Sequence, residues 1–117
     1  VAGAARADYA EAAAKVLTTD GHAGKVYELG GERRTYDELA QAVSEVAGKP
    51  VRYQDLAQAD YAAALEKAGL PADYAGVLAD ADAGIANGVL DIDTGHLEQL
   101  LGRPATPALA AFRAILS

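Results

Sequence analysis

VAGAARADYAEAAAKVLTTDGHAGKVYELGGERRTYDELAQAVSEVAGKPVRYQDL, running from Val1 to Leu56, alternates short apolar runs with helical ones. Thr35-Tyr36-Asp37-Glu38 is a capping box, in which the threonine hydroxyl and the glutamate each satisfy a free backbone N–H. It opens a helix to Ala47 that carries Leu39, Val43 and Val46 on one face. Before it, Lys25 to Leu29 is rich in Val and Tyr and ends at Gly30-Gly31, which predicts a strand. After it, Val51 to Asp55 predicts a second strand. Strand, capped helix and strand make a βαβ unit, whose strands run parallel with a right-handed crossover. Upstream, Val1 to Ala5 reads as a short strand. Asp8 reads as the cap of a helix to about Leu17, with Tyr9, Ala13, Val16 and Leu17 on one stripe. Thr18 to Gly24 is a turn, signalled by Asp20-Gly21.

Three stretches also carry a likeness. Arg6-Ala-Asp8-Tyr9-Ala10 heads an Ala-rich helix, Lys25-Val-Tyr-Glu-Leu29 sits on a predicted strand, and Leu101-Gly-Arg-Pro-Ala-Thr-Pro107 lies near the end. Together they resemble the C-terminal substrate domain of NmrA-like atypical short-chain dehydrogenases, of the NAD(P)H-dependent quinone oxidoreductase type. The resemblance covers essentially the whole chain. It implies a Rossmann-type parent whose nucleotide-binding domain lies upstream of these residues. The chain, which starts at Val1 and has no Met, is then expected to be a fragment or a processed product. The resemblance also implies that Asp80-Ala-Asp82-Ala-Gly84-Ile85 lies on a helix near the pocket, making Asp82, Gly84 and Ile85 the substrate-pocket candidates.

Beyond Leu56 the pattern turns helical. Helix stops recur as Gly48-Lys49-Pro50, Gly69-Leu70-Pro71 and Gly102-Arg103-Pro104, with glycine at the left-handed position and proline barring continuation. Gln58 to Ala68 is one helix, and Pro71 opens another to about Asn87. Asp93 or Thr94 caps a short helix with Leu97, Leu100 and Leu101. Thr106-Pro107 caps a last one with Leu109, Phe112, Ile115 and Leu116. The expected fold is therefore α/β: a small parallel sheet of two or three strands with one βαβ unit, then four helices. With no internal repeat or linker, residues 1–117 are expected to form a single substrate-binding domain.

Composition narrows the function. The chain has 117 residues, 51% hydrophobic and 23% charged, which is ordinary globular usage. Alanine makes up roughly a quarter of the residues, which favours helices and buries little area per residue. A net charge of −7 opposes nucleic-acid binding, which needs a basic face. No apolar run approaches the ~20 residues of a membrane span, so no membrane partner is expected. There are no cysteines, so disulfides and thiolate metal sites are excluded and a cytoplasmic setting fits.

Catalytic motifs are sought and mostly not found. Short-chain dehydrogenases commonly pair Tyr-x-x-x-Lys, but positions 13, 31, 40, 57, 65 and 78 are Ala, Gly, Ala, Ala, Leu and Leu. The Gly30-Gly31-Glu32-Arg33-Arg34-Thr35 turn sits between strand and helix yet lacks the G-x-G-x-x-G spacing of a dinucleotide cradle. His22 and His96 are isolated in sequence. Asp91-Ile92-Asp93 begins like a calcium loop but has Gly95 at its fifth position and Gly102 at its twelfth. Asp80 and Asp82 lie about 200° apart on a helix, so they form no acid–base dyad. These readings assign no catalytic, cofactor or metal residue to the chain. The resemblance implies NAD(P)H for the full-length parent, with an upstream or separate nucleotide-binding domain as partner. An apolar face left uncovered by that domain predicts a homo-oligomer. Two other readings stay open: an NmrA-like redox-sensing regulator without turnover, and a stand-alone helical interaction module.

Overall fold

A computed structural model describes residues 1–116. The order is α1 (Arg6–Thr18), α2 (Tyr36–Ala47), α3 (Gln58–Lys67), α4 (Ala72–Ala86), α5 (His96–Leu101) and α6 (Ala108–Leu116). These form two compact units: residues 1–53 together with the chain from Asp91 onward, and residues 54–90.

The expected parallel sheet and βαβ unit are not seen, because no strand forms among the described residues. The reason lies in who takes the backbone groups. Glu28 N–H donates to Nδ1 of His96, and Glu28 C=O accepts from the Thr94 hydroxyl. Val51 is engaged in the same way by one side chain: its N–H donates to Ser44 Oγ and its C=O accepts from that hydroxyl. A sheet ladder needs these same donors and acceptors. Such backbone pairing as occurs joins other segments. Val1 and Arg34 exchange both N–H···O bonds, at 3.0 and 2.8 Å, and Gly31 N–H donates to Ala2 C=O. Reciprocal bonding between one pair of residues is the antiparallel pattern, not the parallel one.

The Gly30-Gly31 doublet makes that approach possible. A Cβ on Gly31 would stand 2.5 Å from the Gly3 carbonyl oxygen and 2.9 Å from the Ala4 Cβ. One on Gly30 would stand 2.7 Å from the Ile92 Cβ. The doublet therefore serves close packing of three chain segments.

Helix α2 matches its expectation. Thr35 Oγ1 accepts from Glu38 N–H, Glu38 Oε1 accepts from Thr35 N–H, and Gly48 closes the helix at φ 69°. Ala42 is buried, with Leu39, Val43 and Val46 half-buried beside it. Helix α1 differs. Ala5 is its N-cap, so Asp8 lies one turn inside, and the buried face is Asp8 and Ala12, leaving Ala13 and Leu17 exposed. Gly95, rather than Asp93 or Thr94, is the N-cap of α5, although the Thr94 hydroxyl accepts the His96 N–H.

In the larger unit α1 packs on α5 and α2 on α6. Its core is Ala12 against Leu97, Leu100 and Leu101, with Tyr9, Val16, Tyr27 and Leu29 around them. In the smaller unit α3 packs on α4, where Ala75 and Ala79 are buried.

Two substitutions test this account. Thr35→Ala is expected to cost about 1 kcal/mol through loss of the cap, read by chemical denaturation. Gly31→Ala is expected to lower stability more than Thr35→Ala, because its Cβ would meet backbone rather than a yielding side-chain tip. Equal stability of Gly31→Ala and the parent would refute the packing role.

Candidate functional site

Asp82, Gly84 and Ile85 lie on the last turns of α4, all half-buried, while Asp80 is exposed. The two aspartates diverge as their spacing requires. Asp82 faces Tyr61 of α3. Burial, followed by the charge and hydrogen bond of Asp82, raises the Tyr61 hydroxyl above its ordinary value. Tyr61 is thus held as a neutral phenol that donates to a carboxylate. Gly84 has a structural task at the helix end, where its carbonyl accepts from Asn87 N–H and Val89 N–H. The three candidates follow one another along α4 without sharing one face, since Asp82 and Gly84 diverge like Asp80 and Asp82; Tyr61, whose pairing with Asp82 across two helices left no mark in local spacing, was missed.

A groove of about 380 Å³ lies in the larger unit, lined by Ala4, Ala5, Leu39, Phe112 and Ile115 with Arg34 at its edge. The Arg34 Nε is buried and finds no hydrogen-bond partner among the described residues. Its terminal nitrogens pair with Glu32 at 2.8 Å and more loosely with Glu38 at 3.9 Å.

The turn at residues 30–34 does not fit a dinucleotide. Its glycines are occupied by Gly3, Ala4 and Ile92. Arg33 grips Asp91 through two bonds of 2.6 Å and lies 3.7 Å from Asp93. Those aspartates therefore hold an arginine, and among the described residues no group of three His, Cys, Asp or Glu is placed to bind a metal ion. No described helix is long and apolar enough to cross a membrane.

Two constellations escaped the sequence reading. His22 and His96, isolated in sequence, both pack edge-on against Tyr27. Thr19 donates its hydroxyl proton to Lys15 C=O, so it accepts from His22 Nε2, and His22 Nδ1 then accepts from Tyr27 at 2.7 Å. This chain fastens the turn after α1 to the segment carrying Tyr27. The second is Asp8, the buried charged residue of the larger unit. Its carboxylate accepts from Thr106 N–H at 2.6 Å, from the Thr106 hydroxyl at 2.9 Å and from Arg103 at 2.9 Å. Burial pushes this carboxyl up. The Thr106 amide, Arg103 and the Thr106 hydroxyl outweigh that, and hold it below its ordinary value.

These bonds join Arg6-x-Asp8-Tyr9-Ala10 to Leu101-Gly-Arg-Pro-x-Thr-Pro107, two of the stretches that carried the likeness. Quinone oxidoreductase 2 of Escherichia coli K12 is 49% identical over 107 residues, which are 91% of this chain and 37% of that protein. The chain is a homologue of that protein. A crystal structure of the NADPH-dependent quinone oxidoreductase of Escherichia coli matches with a TM-score of 0.93 at 44% identity, over 100% of this chain and 43% of the other. Triphenylmethane reductase from Citrobacter sp. matches with a TM-score of 0.91 at 34% identity, over 99% of this chain and 40% of the other. No family model matches. The chain thus spans about two fifths of the relatives' length.

The Asp8 lock has a pH signature. A depressed folded-state value means that the stabilisation is complete above the unfolded carboxyl range, near pH 4, and is lost as pH falls through the folded value. Asp8→Asn is expected to cost about 2 kcal/mol at pH 7, discounted for the partly exposed Arg103. The gap should narrow toward pH 3. Urea denaturation at both pH values checks it, and a gap independent of pH refutes the ionic role.

Proposed function

We propose that this chain is the substrate-pocket half of an NAD(P)H-dependent oxidoreductase that reduces a quinone. One observation carries the reading: identity of 44% and a TM-score of 0.93 over the full chain to a quinone oxidoreductase that is NADPH-dependent. A structure of that oxidoreductase in complex with NADPH matches this chain equally well. Because more than half of each relative lies outside the match, the activity, its substrate and its partner are assigned to an assembled protein. That protein consists of this domain, residues 1–117, and a nucleotide-binding half.

In this reading the nicotinamide supplies the hydride, and the described residues take no part in holding the cofactor. The contribution of this chain is to shape and orient. Ile85 offers an apolar wall. Asp82 and Tyr61 offer a polar pair, tied to each other and able to direct a carbonyl or hydroxyl of the substrate. No general acid is assigned: burial and Asp82 make Tyr61 hold its proton more tightly than a free phenol, and its hydroxyl is engaged by that carboxylate. The chain alone is expected to be inactive. A cytoplasmic setting belongs to the same proposal, as does self-association of this chain through an apolar face that no nucleotide-binding half covers.

Calorimetric titration of the isolated chain with NADPH is expected to show no saturable binding, and micromolar affinity would overturn the division into halves. In the assembled protein Ile85→Ala should raise KM for a quinone about tenfold, the scale of one lost apolar contact, and leave NADPH affinity unchanged. An unaltered KM removes Ile85 from the pocket.

A further inference from the structure

Helix α6 reads ALAAFRAIL, with a single charge in nine residues, yet no residue of it is buried. It packs on α2 alone among the helices, and Ile115 is left 75% exposed. Between this pair and the segment at Ala4–Ala5 runs the groove of about 380 Å³. A helix this apolar gains its stability by burying that surface, and soluble proteins seldom leave a contiguous apolar face open.

We infer that the groove formed by Ala4, Ala5, Leu39, Ala111, Phe112 and Ile115 is the docking surface for the nucleotide-binding half. This inference rests on the reading in the preceding subsection and gives that partner a place on the chain. The partner's docking segment is apolar, as the groove lining is. One observation favours this occupant over a second copy: the structures that reproduce this chain at a TM-score of 0.93 and 0.91 each carry more than half of their length beyond it.

The experiment grafts this chain in place of the matched region of Escherichia coli quinone oxidoreductase 2. Amide exchange of residues 108–116 is then compared in the chimera and in the isolated chain. Docking predicts exchange about tenfold or more slower in the chimera. Ile115→Glu should lower the thermal midpoint of the chimera and leave that of the isolated chain unchanged, since Ile115 is exposed there. Equal exchange in both proteins overturns the inference. So does a dimeric isolated chain that Ile115→Glu converts to monomers, which would make the groove a self-association surface. A chimera that stays unfolded while the isolated chain folds also overturns it, because a groove shaped for that half accepts it. Quinone reduction is read separately. Protection of α6 without turnover sinks the functional reading alone, and turnover with α6 unprotected sinks the docking site alone.

Discussion

The larger unit depends on one buried carboxylate. Asp8 stands one turn into α1 and is nearly sealed from water, and the segment that follows α5 supplies its partners. An ionised group in such a place is tolerable only when its lone pairs are filled. Thr106 fills them with an amide and a hydroxyl, and Arg103 adds a charge that it shares with Glu11. The segment from Gly102 to Pro107 is thereby held across the start of α1. The leucines of α5 are then fixed over Ala12, and α6 starts from a defined point. The core needs this tie because it is small, with one alanine facing three leucines.

The second constraint is steric. Glycines at 30 and 31 let the Val1–Ala4 segment and Ile92 close on the same turn from two sides. The Arg33 fork onto Asp91 holds the far side of that turn. A residue type that suggested a phosphate cradle serves chain-to-chain contact here. The same frugality marks the smaller unit, where Ala75 and Ala79 bring two helices close and leave Tyr74 and Val77 in solvent.

The substrate-pocket candidates lie in the smaller unit, and the groove and the three stretches that carry the likeness lie in the larger one. The phenol of Tyr61 is raised above its ordinary value first by burial and then by Asp82 across a helix pair.

What the sequence by itself determined were the local features. The capping box at Thr35 and the glycine stops at Gly48 and Gly102 are contacts within a few residues, so their geometry follows from chain order. The likeness carried by residues 6–10, 25–29 and 101–107 was legible for another reason: a family pattern survives in order even when its contacts are remote. Tertiary structure alone decided the rest. Asp8 resembles a cap in sequence, but its acceptor role is set by residues 95 and 98 positions away. The segments at 25–29 and 51–55 have strand composition. They form no ladder because Thr94, His96 and Ser44 take the backbone groups of Glu28 and Val51 first. A hydrogen-bonding group has few partners, and which of them reaches it is settled by the folded chain.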